Sequence, residues 1–219
     1  MKKAKLPKFY SDNKMDALEQ NTLNTYNKIS VDWAAKRRQG EDKVWEAERQ
    51  KFQTLLPRGK VLDIGCGPGA DSFWFLDHDY EYLGIDGSES MIKLARENNP
   101  QVKFEVKNFD ELSELKEKFN GFWAAASLLP VPKQKISEVL INIKQILLPQ
   151  GIGFIALKEG EGEKNEIWGE SGLTRFFAYY TKEEFSAILT SQQFRIIDFD
   201  RHISPRDNKT VWLIFFVKI

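Results

Sequence analysis

Three glycines, Gly65, Gly67 and Gly69, fall in the run GCGPGA between an apolar stretch and a helical one. Glycine lets the backbone turn sharply and lets a ligand approach with no Cβ in the way. Asp86 closes the next apolar stretch, 17 positions after Gly69, with Gly87 behind it. A carboxylate at that place can accept two hydrogen bonds from ribose hydroxyls. The pair points to an adenosine-containing cofactor without saying which, and GCGPGA also satisfies the looser dinucleotide pattern G-x-G-x-x-G/A. Asp63 narrows the choice. It stands two residues before the first glycine, where a carboxylate is an awkward neighbour for a pyrophosphate. It suits a group that carries an ammonium and a sulfonium and no phosphate. Its expected role is indirect, bonding loop amides with a water or the cofactor amine nearby. The alternative is that it only caps the turn. Cys66 is the single cysteine; it reads as a small packing residue inside the cofactor loop rather than as a reactive thiol.

These residues need a strand on one side and a helix on the other. From residue 60 onward the pattern supplies both in alternation. Short apolar strands are expected at 61–64, 82–85, 102–106, 121–126 and 152–157, and helices at 71–79, 88–98, 111–118 and 133–148. Such repetition predicts an α/β fold, a doubly wound, mostly parallel sheet in three αβα layers. The end of the chain departs from the rule. After a helix at 182–190, strands at 194–202 and 210–218 are joined by the short polar loop SPRDNK, which implies a hairpin and one antiparallel C-terminal strand. Before the sheet, residues 16–52 read as helical with a break near Gly40, and the first dozen residues as a basic, mobile tail. The whole of 1–219 is expected to be one domain, with 1–56 a helical extension or lid on a core at 57–219.

The run VLDIGCGPGADS resembles motif I of the class I S-adenosylmethionine-dependent methyltransferases. YLGIDGSESMIKLAREN resembles the family segment in which the strand-end acid holds the ribose; Asp86 takes that place, and Met91 falls where an apolar side chain packs near adenine. VKFEVKNFDEL resembles the third-strand segment, although Lys107-Asn108-Phe109 stands where Gly-Asp-Ala is usual. The resemblance implies that Asn108 bonds the adenine amino group through its side-chain oxygen and that Phe109 offers a backbone amide and a stacking face. NGFWAAASLLPVP resembles the fourth-strand motif and implies that the backbone near Ala126 and Ser127 approaches the methionine part. In LLPQGIGFIALKEGEGE, Gln150 replaces a usual glycine. Tyr26 and Arg37 are implied to close over the methionine end, or else Tyr26 is a packing residue and Arg37 a solvated charge. The product would be S-adenosylhomocysteine. Pro130 stands where a histidine is common, which puts a base at that point in doubt.

The stretch 158–180, KEGEGEKNEIWGESGLTRFFAYY, is too long for an ordinary strand–helix connection and follows the fifth strand, at the edge where open sheets hold ligands. Arg175, Tyr179 and Tyr180 are therefore the candidates to face the methyl acceptor; the competing reading is a surface loop with an aromatic plug. The acceptor is expected to be a small molecule or a protein side chain, methylated on O, N or S. No Asn/Asp-Pro-Pro-Tyr/Phe segment follows the fourth strand, which demotes amino-methylation of nucleobases, and no spare cysteine exists to attack a pyrimidine ring. TYNKISVDWAAKR loosely resembles the start of wobble-uridine methyltransferases, so a tRNA-modifying enzyme is an alternative. Lys plus Arg equals Asp plus Glu at 32 each, which argues against a nucleic-acid partner. A nicotinamide-dependent oxidoreductase and a catalytically silent cofactor-binding module complete the alternatives. The two histidines, His78 and His202, and the absence of ligand-spaced carboxylates predict no metal site. The longest apolar run, 211–217, is far short of the roughly 20 residues that span a bilayer. No secretory signal is read at the N-terminus, so a cytoplasmic location with no membrane partner is expected; the oligomeric state is open.

Overall fold

The structure is a computed structural model and describes residues 17–38 and 44–219; the expected N-terminal tail and the break at Gly40 lie outside the described residues. Seven strands form the main sheet in the order β3-β2-β1-β4-β5-β9-β8. These are β1 Lys60–Ile64, β2 Glu81–Asp86, β3 Lys103–Val106, β4 Phe119–Ala125, β5 Leu147–Lys158, β8 Arg195–Ile203 and β9 Val211–Lys218. The first five run parallel, and β9 pairs antiparallel with both β5 and β8. The chain starts at β1, winds outward through β2 and β3, then crosses back to β4 and β5. Adjacent strands β1 and β4 therefore send their following loops in opposite directions, which opens a crevice at their carboxyl ends. The helices are α1 Ala17–Arg38, α2 Glu46–Leu55, α3 Ser72–Asp77, α4 Glu89–Asn98, α5 Ile136–Ile146 and α6 Lys182–Ser191. Among the described residues no helix is long and apolar enough to cross a membrane.

Burial explains the sequence pattern of each strand. Ile152 to Leu157 of β5 and Trp212 to Val217 of β9 are buried on both faces, so they read as unbroken apolar runs. Edge strand β8 is half-buried and mixed in character. Between sheet and helices lies an aromatic cluster in which Trp123 stacks on Phe154 at 3.8 Å and meets Phe52 and Phe75 edge-on at 5.5 and 5.6 Å. A buried ion pair ties α2 to the start of α3: Arg49 Nη1 lies 2.6 Å from Asp71 Oδ1, and Trp123 Nε1 donates to Asp71 Oδ2 at 3.3 Å.

Three elements differ from expectation. The helix expected at 133–148 is shorter, because Leu147 already pairs with Phe119 as the start of β5 and Pro132 supplies the turn into α5. The helix expected at 111–118 is instead a 3₁₀ segment, Phe109–Glu114, opened where Glu111 Oε2 accepts the Asn108 N–H at 2.7 Å. The stretch 158–180 is no irregular loop. It holds an antiparallel hairpin of β6 Glu163–Ile167 and β7 Thr174–Ala178, turned through Gly169 and Gly172 at φ +54° and +71°. The free edge of β7 is closed by α1: Thr22 Oγ1 accepts the Phe176 N–H at 2.9 Å, and Thr25 Oγ1 donates to the Thr174 carbonyl at 2.8 Å. At its other contact α1 reaches α4, where Asn27 Oδ1 accepts from Ser88 Oγ at 2.7 Å and from the Ser90 N–H at 3.1 Å.

Candidate active site

The crevice at the carboxyl ends of β1, β2 and β4 opens into a cavity of about 1100 Å³, with α1, the β6–β7 hairpin and the loop before β9 contributing to its wall. Its floor is the glycine loop. Gly65 takes φ +72° and its N–H donates to the Ile85 carbonyl at 2.8 Å; a Cβ there would collide with the Ser127 side chain. Gly67 takes φ +53°, and nothing lies within 4 Å of where its Cβ would be, so ligand can lie directly on that backbone. Asp86 joins the loop to the second strand. Its Oδ2 accepts the Gly67 N–H at 3.0 Å and its Oδ1 the Ser88 N–H at 2.8 Å. A carboxylate has about four lone-pair sites, so two remain for hydroxyl donors. Burial pushes the Asp86 carboxyl above its ordinary range, and the Ser88 and Gly67 amides oppose that rise.

Gly87, Met91, Asn108 and Phe109 continue the wall beside Asp86. Gly87 is small of necessity, since a Cβ would strike Asn108 Oδ1. Met91 is buried, and Ser88 Oγ accepts its N–H to cap α4. Across the crevice, Ala126 follows the end of β4 at φ +58°, a left-handed conformation that costs a non-glycine residue about 1 kcal/mol or more. Ser127 follows with its Oγ buried and without a partner among the described residues. Strain and an orphaned hydroxyl at one strand end are marks of a ligand site.

Asp63, Cys66 and Gly69 are not on the cavity wall. Asp63 lies beneath the loop, 2% exposed, and accepts the Tyr82 hydroxyl at 2.5 Å. Burial, then the charges of Asp63 and Asp86, push the Cys66 thiol well up, so it stays protonated near neutrality. Gly69, at φ +79°, makes the turn into α3 against Phe104. Tyr26 lines the cavity; the side chain of Arg37 lies outside the described residues.

The acceptor candidates part company. Arg175 lines the cavity. Tyr179 and Tyr180 do not: the Tyr179 hydroxyl donates to Glu166, and Tyr180 is fully buried with Lys133 Nζ 4.7 Å over its ring. Burial drives both phenols far above their usual range, the Glu166 bond adding to it at Tyr179. Neither histidine reaches the cavity. His78 stacks on Trp74 at 4.0 Å, and His202 Nδ1 sits 3.6 Å from Glu48 Oε1. Glu48, Asp200 and His202 do come within ligand distance of one another, a grouping invisible in the sequence, but none of them lines the cavity. Pro130 does, at the place where a histidine was looked for. The sequence also gave no sign of Trp33, or of Asp207 and Thr210 from the SPRDNK loop, as wall residues; only their distant packing partners bring them there.

The model of a family described as "Methyltransferase domain" matches residues 61–151, the stretch that holds the glycine loop, Asp86, Asn108 and Ala126. Over that stretch the chain is similar to the class I S-adenosylmethionine-dependent methyltransferase domain. It is 28% identical over 139 residues to the trans-aconitate 2-methyltransferase of Variovorax paradoxus, covering 61% of this chain and 52% of that relative, so it spans about half the relative's length. The fold of the chain is shared with the Burkholderia thailandensis 1,6-didemethyltoxoflavin-N1-methyltransferase, solved with bound 1,6-didemethyltoxoflavin and S-adenosylhomocysteine. That match has TM-score 0.70 and 20% identity, over 95% of this chain and 92% of that one. It is shared also with the DhpI–S-adenosylhomocysteine complex, at TM-score 0.72 and 17% identity over 91% of this chain and 96% of that one.

Proposed function

We propose that this protein transfers a methyl group from S-adenosylmethionine to an oxygen, nitrogen or sulfur atom of a small molecule. The observation that carries the reading is the cavity: it joins the glycine loop and Asp86 to an aromatic wall built by α1 and the β6–β7 hairpin. A cavity of about 1100 Å³ has room for the cofactor and a small acceptor together. The relative named for trans-aconitate, a small tricarboxylate, agrees with this reading.

When bound, S-adenosylmethionine supplies an electrophilic methyl on a cationic sulfur. The rest of the task is positioning and exclusion of water. In this reading Asp86 accepts the ribose hydroxyls, Asn108 and Phe109 hold the adenine against Met91, and the backbone of Gly65 and Gly67 underlies the cofactor. Ala126 and the orphaned Ser127 hydroxyl meet the methionine part, with Tyr26 over it. Asp63 and Cys66 act from below, by fixing the shape of the loop, and α1 serves as the lid. No histidine lines the cavity, so catalysis rests on holding the nucleophile in line at about 3 Å. A base matters only for an acceptor that arrives protonated.

The test is calorimetric titration with S-adenosylmethionine, S-adenosylhomocysteine and NAD, then transfer of labelled methyl to trans-aconitate and to small-molecule extract fractions. Binding of the first two and labelling of a ribonuclease-resistant small molecule is the expected result. Tight NAD binding with no response to the other two refutes the reading, and label confined to RNA refutes the small-molecule acceptor.

A further inference from the structure

Arg175 is a charged side chain set almost wholly inside the protein, 8% exposed, yet facing the cavity. Four aromatic rings surround its guanidinium carbon: Trp168 at 4.7 Å, Phe177 at 4.9 Å, Trp33 at 5.4 Å and Tyr26 at 5.7 Å. Rings attract a cation through their faces but satisfy none of its N–H donors in the plane of the fork. No carboxylate of the described residues pairs with it, and its Nε is buried without a partner. The lysines of the wall differ. Lys107 is 3.2 Å from Glu114, Lys135 is 2.5 Å from Glu19 and Lys158 is 3.2 Å from Glu166. Folding therefore leaves a buried, planar cation whose Nε–H has no partner among the described residues and whose ring contacts use none of its in-plane donors. Such a group is destabilising by itself and gains most from a planar anion that can accept two parallel hydrogen bonds.

We propose that Arg175 anchors a carboxylate of the methyl acceptor, and that the acceptor carries this carboxylate on a flat, unsaturated or aromatic body that fits between the rings of Trp33 and Phe177. The proposal rests on the methyltransferase reading and sharpens its substrate class. The acceptor rather than the cofactor is assigned because β7 lies outside the main sheet and beyond residue 151, where the match to the family model ends. The anchored carboxylate is not the atom methylated. A guanidinium draws charge from the oxygens it holds and makes them poorer nucleophiles, so the reacting atom lies elsewhere on the acceptor.

The probes are benzoate and its neutral isostere benzamide, titrated onto the S-adenosylhomocysteine complex and followed by tryptophan fluorescence and calorimetry. In a parallel arm S-adenosylhomocysteine is compared with 5′-methylthioadenosine, which lacks the amino acid carboxylate. Wild-type protein is expected to prefer benzoate to benzamide, and Arg175→Met to weaken benzoate about 30-fold while leaving both nucleosides within about twofold. Arg175→Lys keeps the charge among the rings and guards against misfolding; without the fork it should still weaken benzoate about tenfold. Equal binding of benzoate and benzamide, or no effect of either substitution on benzoate, overturns the proposal. Loss of S-adenosylhomocysteine affinity with methylthioadenosine unchanged assigns the guanidinium to the cofactor's carboxylate and overturns it too. Failure of the methyltransferase reading is seen separately, as wild-type protein that does not bind S-adenosylhomocysteine at all.

Discussion

Replacing Asp86 tests the cofactor assignment most directly. Its carboxylate already accepts two backbone N–H bonds, from Gly67 at 3.0 Å and Ser88 at 2.8 Å, and two lone-pair sites remain for the ribose. Each hydrogen bond to a charged acceptor contributes about 1.5–3 kcal/mol, so two ribose bonds lost in Asp86→Ala come to about 3–6 kcal/mol. Two effects pull the value down. Water can enter the space left by the side chain, and burial already disfavours the charged carboxylate, as its raised pKa shows. About 3 kcal/mol is the reasoned figure, a loss of roughly two orders of magnitude in affinity. Asp86→Asn is expected to be no milder. One face of the amide would turn its NH₂ toward an N–H that needs an acceptor, so either Gly67 or Ser88 loses its partner and the loop shifts. Calorimetric titration of both variants with S-adenosylhomocysteine is the assay, with circular dichroism to confirm folding. Affinity within threefold of wild type in a folded Asp86→Ala protein would refute the ribose role.

Three further outcomes follow from the same geometry. Asp86 has a folded pKa raised above 3.8, so at neutral pH its charge weakens the folded state and that penalty is relieved as pH falls through the raised value. Ribose hydroxyls need the charged form; S-adenosylhomocysteine affinity should therefore decline on acidification already above pH 3.8, a trend that titrations across pH 4–7 would show and that Asp86→Ala should lack. Asp71→Ala removes the buried partner of Arg49, 5% exposed, leaving it Glu46 Oε2 at 3.0 Å, and removes the acceptor of Trp123 Nε1. Because Glu46 still faces Arg49, denaturant unfolding should show a loss of about 1–3 kcal/mol, and a loss under about 0.5 kcal/mol, a smaller value than about 1 kcal/mol for an ordinary hydrogen bond, would mean that the pair is not closed in solution. Gly65→Ala drives a Cβ into the Ser127 side chain at φ +72°, and S-adenosylhomocysteine binding should fall to the limit of detection. Adding Ser127→Gly removes the clash but not the backbone strain, so only part of the affinity should return.

The sheet could be read from the chain because a parallel strand buried on both faces must be apolar throughout and must stop where polar residues or glycines begin. Val61 to Ile64 and Ile152 to Leu157 show that rule, and Asp86 could be placed because it ends such a run. The hairpin β6–β7 obeys a different logic. EKNEI carries charge on an exposed strand, and β7 owes its order to hydroxyls of Thr22 and Thr25 about 150 positions earlier, which no local pattern records. The cage of Arg175 likewise draws on Tyr26, Trp33, Trp168 and Phe177 from two distant segments. Tyr179 and Tyr180 were natural companions of Arg175 by adjacency alone. Tyr179 keeps the same face as Arg175 and Phe177 but turns its hydroxyl to Glu166, away from the cavity, whereas Tyr180, on the opposite face, closes the core beside Phe185 at 5.0 Å. The left-handed backbone of Ala126 is equally silent in the sequence, since alanine gives no sign of it.

The hydrogen bonds of α1 make it a shared strut. Asn27 grips Ser88 and Ser90 next to Asp86, while Thr22 and Thr25 grip the strand that carries Arg175. A ligand that steadies either end restricts the same helix, so its ordering entropy need be spent only once for two ligands. Thermodynamic reciprocity then fixes the bookkeeping between them: whatever factor the nucleoside adds to the affinity for the carboxylate, the carboxylate adds to the affinity for the nucleoside. A random order of addition would show that factor as synergy in either sequence, and cutting the strut at Thr22 would return both affinities toward independence.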